Sequence, residues 1–164
     1  MSAAAERDLV AGADPGARGA VALLYPDGQV ARVLRLDEHT LAEVCAALRT
    51  LRPRVAVAYL ERVGAMPKQG VASTFKFGRS VGELRGVLTA LELPWREVTP
   101  GAWQRRLGCL SGGRKRVTRA RAQRQWPDGY VDPDGRRRRV TDAVADALLI
   151  AEYARLEALR ERLI

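Results

Sequence analysis

Apolar positions along the chain follow two different periods, and the switches between them outline the elements. Residues 9–13 form a short apolar run that stops at Asp14-Pro15-Gly16, the pattern of a strand running into a turn. Residues 19–25 read as a second strand. Pro26-Asp27-Gly28 supplies the next turn, and residues 29–36 alternate as a third strand, so the three predict an antiparallel meander. Within 40–51, Leu41, Val44, Cys45 and Leu48 recur at helical spacing. Residues 55–60 are an apolar run suited to a buried strand, and it ends at Glu61. Residues 73–91 predict a long helix and 95–98 a short strand. Thr99-Pro100 starts a short helix over 100–107, with proline in the first turn where its missing N–H is not needed. A flexible stretch at 108–113 leads to a helix over 114–126, a turn-rich loop over 127–135 and a final helix over 141–163. The expected architecture is α/β: a mixed sheet flanked by helices, in one domain over 1–164.

Charge changes the picture. The chain carries 28 Lys+Arg against 19 Asp+Glu, a net +9. Residues 104–139 hold twelve basic and three acidic residues, so the whole excess lies in that segment and the rest is neutral. A local excess of this kind points to a polyanion surface, nucleic acid above all. The lysines are Lys68, Lys76 and Lys115; every other cation is arginine, whose planar fork of donors suits phosphate. Apolar residues make up 47%, enough for a core. No apolar run reaches the roughly 18 residues that a membrane span needs. The N-terminus lacks a basic start followed by an apolar stretch, and Cys45 and Cys109 stand in no metal-ligand spacing. A cytoplasmic protein with reduced thiols is expected. With one histidine, His39, any metal must sit on oxygen ligands.

Candidate chemistry gathers at three places. Asp14 ends the first strand and Glu61 the fourth; if these strands are parallel neighbours, both carboxylates lie at one edge of the sheet, where sites form in open α/β folds. Asp142 and Asp146 are four apart, so they face the same way from the start of the last helix. Asp146 interrupts an apolar stretch, Val144-Ala145-Asp146-Ala147-Leu148-Leu149-Ile150-Ala151, where an acid is costly to bury unless paired or bound to metal. Asp142 has two readings: a further ligand, or a helix-start residue favoured by the dipole, with Thr141 as the cap. Four carboxylates suit Mg²⁺ or Mn²⁺, and two such ions can drive phosphodiester hydrolysis. Gly78, Gly82, Gly86 and Ala90 recur every four residues on one helix. Glycine weakens a helix by about 1 kcal/mol relative to alanine, so the stripe implies close packing, either on the chain's own sheet or on a second copy.

Gly12-Ala13-Asp14-Pro15-Gly16, Leu60-Glu61-Arg62-Val63 and Asp142-Ala143-Val144-Ala145-Asp146-Ala147-Leu148 resemble, in order, the three acidic motifs of RuvC-type Holliday junction resolvases. Gly78-Arg79-Ser80-Val81-Gly82-Glu83-Leu84-Arg85-Gly86 resembles the family's dimer helix. The resemblance runs over nearly the whole chain, and its spacing is closer to phage members. It implies an RNase H-like fold with a five-stranded sheet, a homodimer meeting at Gly78, Gly82 and Gly86, and two Mg²⁺ per site on Asp14, Glu61, Asp142 and Asp146. It also implies paired symmetric nicks across a four-way DNA junction, in recombination and repair. Lys115 matches a family lysine and is expected near the scissile phosphate. The cations expected on DNA are Arg62, Lys68, Lys76, Arg79, Arg114, Lys115, Arg116 and Arg119.

This sequence departs from the family in three places. Ala143 stands where bacterial members usually carry the third acid, with Asp142 one position earlier. Gly64 stands near a position where an aromatic wedge is common, leaving Met66 as a candidate for that role. Trp103-Gln104 replaces a lysine of the short helix. Two other functions fit the residues: a non-catalytic DNA-binding protein of the same fold, and an RNase H-type nuclease on other nucleic acids. An actin-like ATPase, suggested by the first hairpin, needs two such domains and more chain than this.

Overall fold

The computed structural model describes residues 8–62, 64 and 70–164. Its strands are β1 (Leu9–Asp14), β2 (Ala20–Leu24), β3 (Val30–Arg35), β4 (Val55–Glu61) and β5 (Trp95–Val98), with helices α1 (Leu41–Leu51), α2 (Val71–Ala90), α3 (Pro100–Arg106), α4 (Lys115–Gln125) and α5 (Asp142–Glu161). The five strands form one sheet in the order β3-β2-β1-β4-β5. The meander β1-β2-β3 is antiparallel, and β4 and β5 continue it in parallel from β1. This is the expected mixed α/β, RNase H-like sheet, and each predicted element lies within a few residues of its observed bounds.

Each face of the sheet has its own core. Side chains alternate along a strand, so Leu9, Ala11 and Ala13 point one way and Val10 and Gly12 the other. The first set meets Val44 and Leu48 of α1 and Leu84, Val87 and Leu88 of α2. The second face is covered by α5, with Val57, Tyr59, Trp103, Ala122 and Trp126 in the same cluster. Strands β1, β2 and β4 are therefore buried along their full length, which explains their unbroken apolar runs. Capping helps to define the helices: Thr40 and Glu43 form a reciprocal capping box at α1, and Thr99 accepts from the Ala102 N–H at α3.

Two expectations need correction, and one open choice is decided. Residues 127–139 do not form a mere loop. They fold into a hairpin of β6 (Tyr130–Val131) and β7 (Arg137–Arg138), closed by Asp132-Pro133-Asp134-Gly135, with Gly135 at φ +81°. The strands are two residues long, and β7 lies within a run of four arginines, Arg136 to Arg139, so no alternation signals them. Thr141 precedes α5 in extended conformation but its side chain makes no capping bond. The glycine stripe does not pack on the chain's own sheet: a Cβ placed at Gly78, Gly82 or Gly86 would meet nothing within 4 Å. Met66 and Lys68 lie outside the described residues. Among the described residues, no helix is long and apolar enough to cross a membrane.

Gly12 sets how closely α5 can approach the sheet. A Cβ there would overlap the Ala151 N–H and lie 2.6 Å from the Ala147 carbonyl oxygen, so helix backbone rests directly on strand backbone. Gly12→Ala must push α5 away. It should lower stability by about 3 kcal/mol, measured by denaturant unfolding, because no flexible side chain is available to yield. A near-neutral result would show that α5 is free to shift.

Candidate active site

The sheet register brings the strand-end acids together. Ala13 pairs with Leu60 across the parallel β1–β4 ladder, so Asp14 and Glu61 stand one step further along neighbouring strands. By the same alternation that places Val10 with Val57 and Tyr59, both acids emerge on the face covered by α5. From α5, Asp146 comes down on that face from the second turn and is 5% exposed. Asp14 and Glu61 are buried as well. A groove of about 960 Å³ runs over these residues, lined by Asp14, Glu61 and Asp142 and by the cations Arg18, Arg35, Lys115, Arg119 and Arg139.

Each acid is held differently. The Gly16 N–H donates to Asp14 Oδ1 at 3.0 Å, in a turn so tight that a Cβ at Gly19 would overlap the Asp14 carbonyl. Ser80 of α2 donates to the Pro15 carbonyl at 2.7 Å and ties that turn to the helix. The fully buried Trp103 donates its indole N–H to Glu61 Oε1 at 2.9 Å. Lys115, at the start of α4, donates to Asp146 Oδ2, while Asp146 Oδ1 is buried with no partner. Asp142 is half exposed and receives Arg119 Nη1 at 3.1 Å.

Burial and mutual repulsion raise the proton affinity of Asp14 and Glu61. Desolvation pushes the Asp14 carboxyl above the usual range; the Gly16 N–H and Lys115 oppose this, and Asp146 adds to it. Glu61 is pushed up to about 7, by desolvation first and then by the Asp14 charge, against the Trp103 bond. Desolvation pulls the Lys115 ammonium down, but Asp146 beside it, with Asp14 and Glu61, outweighs that and holds it above the ordinary lysine value.

Among the described residues, no three acidic, histidine or cysteine side chains meet closely enough to enclose an ion as they stand. The donor set nevertheless fits a divalent cation. It is all oxygen, and among the described residues Asp146 Oδ1 is buried without a partner while Lys115 bonds Oδ2.

No protein-family model matches the sequence, and no curated protein matches it. Two solved structures from Thermus thermophilus are similar. One is RuvC in complex with Holliday junction substrate, with TM-score 0.62, 16% identity, and coverage of 94% of this chain and 96% of that one. The other is a structure of RuvC with TM-score 0.57, 16% identity, and coverage of 94% and 97%. The chain has the RuvC fold.

On this RuvC fold the expected site residues divide into groups. Asp14, Glu61, Asp142, Lys115 and Arg119 line one groove, and the buried Asp146 is bonded to Lys115. Arg114 and Arg116 are exposed beside Lys115. Lys76 and Arg79 line a separate cavity of about 230 Å³ between α1 and α2, where Arg79 reaches Glu83 at 3.5 Å. Arg62 is exposed just past β4. Sequence reasoning did not single out Arg18, Arg35, Phe77 or Gln123, and it took Arg139 only as part of the run Arg136 to Arg139, expected to contribute less; all five line the groove. Nor did it see that Trp103, noted as a replacement for lysine, holds Glu61. Isolated arginines in an arginine-rich chain carry no local signal, and an indole N–H finds its acceptor only in the folded state.

The raised Glu61 pKa has a stability consequence in metal-free buffer. Unfolded, Glu61 titrates near its ordinary 4.5; folded, near 7. The folded state thus holds the extra proton in that window, and stability falls as pH rises from 4.5 to 7. With a chelator present at pH 8, Glu61→Gln should melt higher than the parent by about 5 °C. The difference should shrink towards pH 5. A parent that melts higher at pH 8 would show that the site carries no such charge strain.

Proposed function

We propose that this chain is a Mg²⁺-dependent, structure-selective endonuclease that makes paired symmetric nicks in four-way DNA junctions, a crossover junction endodeoxyribonuclease. One observation carries this reading. Asp14 and Glu61 come from separate strands to an arginine-lined groove, and Asp146 of α5 lies near them, bonded to the groove residue Lys115, with its Oδ1 buried and unpartnered among the described residues. Such a cluster is costly to the fold and is maintained for a role that uses its charge. The likeness to RuvC in complex with Holliday junction substrate supports branched DNA as the substrate class.

Asp14, Glu61 and Asp146 would hold the metal, with Asp142 as a fourth oxygen donor once released from Arg119. Two bound Mg²⁺, or Mn²⁺ in their place, supply Lewis acidity that activates water and stabilises the leaving oxygen. The chain's own groups do the rest. The Gly16 N–H and the Trp103 indole fix the direction of the Asp14 and Glu61 lone pairs, so these donors need no reorganisation. Lys115 keeps Asp146 neutralised until the site is loaded, and its ammonium can then turn to the scissile phosphate. A non-catalytic DNA-binding protein would have no use for the buried acids. An RNase H-type preference is separated by substrate: the junction should be cut faster than linear duplex or RNA/DNA hybrid.

The protein acts as a homodimer in this proposal, because a junction presents two equivalent strands and a two-fold dimer presents two equivalent sites. What supports it is the outward glycine stripe on α2, together with the 88% exposed Val71 and 71% exposed Phe75 on the same helix.

Two experiments test the reading. Asp146→Asn should lower junction cleavage in Mg²⁺ by about 1,000-fold while leaving binding intact, since the basic groove is unchanged. Near-parental cutting by that variant rules the metal site out. Gly82→Leu, at an open position, should leave the melting temperature within a few degrees, convert the dimer to a monomer by sedimentation, and abolish paired cuts within one binding event. A parent that is monomeric at micromolar concentration yet cuts in pairs overturns the dimer.

A further inference from the structure

Three of the five cations lining the groove are already committed. Lys115 is bonded to Asp146, Arg119 to Asp142, and Arg35 to Asp37 and Glu38. Arg18 and Arg139 form no ion pair and no hydrogen bond among the described residues. Arg18 adds to the positive charge that lowers the Asp37 carboxyl, well after Arg35.

Arg139 stands on backbone that is held from both sides. Gly129, at φ +74°, has no room for a Cβ, which would overlap the Arg138 carbonyl oxygen and lie 3.2 Å from Arg139 Cα. Gln123 donates to the Val140 carbonyl at 2.9 Å, and the Val140 side chain is buried in the core beneath α5. Arg138 is tied to Asp132 at 2.6 Å. Its neighbours fixed, Arg139 extends an exposed, unpartnered guanidinium along the groove that contains Asp14 and Glu61. A free fork of donors on fixed backbone beside an acidic site is suited to a phosphate diester, which it can grip through two parallel bonds.

We propose that Arg139, with Arg18 from the β1–β2 turn, grips the backbone phosphates next to the one cleaved and holds that phosphodiester against Asp14 and Glu61. They are positioning residues for the nuclease reaction, and the inference rests on that reading.

The test pairs single-turnover cleavage of a four-way junction at saturating protein with metal-free binding by fluorescence anisotropy over a salt series. It compares the parent with Arg139→Ala, Arg139→Lys, Arg18→Ala and Arg49→Ala, the last on α1 as a remote control. Arg139→Ala should slow the saturated rate about tenfold or more. It should also reduce the slope of log affinity against log salt by about one, and Arg18→Ala should do the same. Arg139→Lys should restore the slope but stay at least about threefold slow, because an ammonium lacks the fork. Arg49→Ala should match the parent in both. Parental rate and slope in Arg139→Ala overturn the proposal, as does full recovery of rate by lysine. A slow Arg139→Ala with a lowered melting temperature and unchanged slope also counts against it. If the parent cuts no DNA, the nuclease reading falls instead, and the slope alone decides whether Arg139 grips phosphate.

Discussion

The backbone contact between α5 and β1 at Gly12 is the constraint on which the site depends. Asp14 is fixed to the sheet and Asp146 to the helix, so the distance between them is set by how deeply the helix sits. With no Cβ at Gly12, the carbonyl of Ala147 and the N–H of Ala151 rest on the strand, and Asp146 lies one residue before that contact. Any side chain at position 12 would lift the helix and separate the acids. The parallel β1–β4 ladder does the corresponding work for Asp14 and Glu61, whose places follow from the pairing of Ala13 with Leu60. The close contact that stabilises the core is also the one that forces the carboxylates together.

That enforced proximity explains the electrostatics. Burial disfavours the charged forms of Asp14 and Glu61, and each acid worsens the position of the next. The fold offsets this with a small set of donors: a turn N–H, one indole and one ammonium. None of them reaches Asp146 Oδ1. A cluster of negative charge left partly uncompensated lowers the stability of the protein, the trade expected where function and packing compete.

The positive charge is organised around the same groove. The segment that carries the whole basic excess is built as α4 and the β6–β7 hairpin, which flank the start of α5. Many of its arginines are paired with acids of this chain, among them Arg119 with Asp142 and Arg138 with Asp132. The exposed Arg119–Asp142 pair is worth little, so a polyanion can compete for it. A net charge of +9 therefore gives general attraction, while the few unpaired guanidiniums in the groove give direction.

Most of the fold was legible in the sequence, because its signals are local. Period-two and helical spacing, the turns after Asp14 and Tyr25, and proline at the start of α3 are written in consecutive residues. The acids at the strand ends and in α5 stood out for the same reason, each conspicuous beside apolar neighbours. What only the tertiary structure decided depends on partners distant along the chain. The Trp103–Glu61 and Lys115–Asp146 bonds span 42 and 31 residues. The outward face of Gly78, Gly82 and Gly86 depends on which side of α2 meets the sheet, a choice that Leu84, Val87 and Leu88 make through their contacts. Arg139 is distinguished from twenty-four other arginines only by the backbone clamp at Gly129 and Val140. Local pattern determines what a segment becomes; which side chains face one another across the site is a property of the packed sheet and helix.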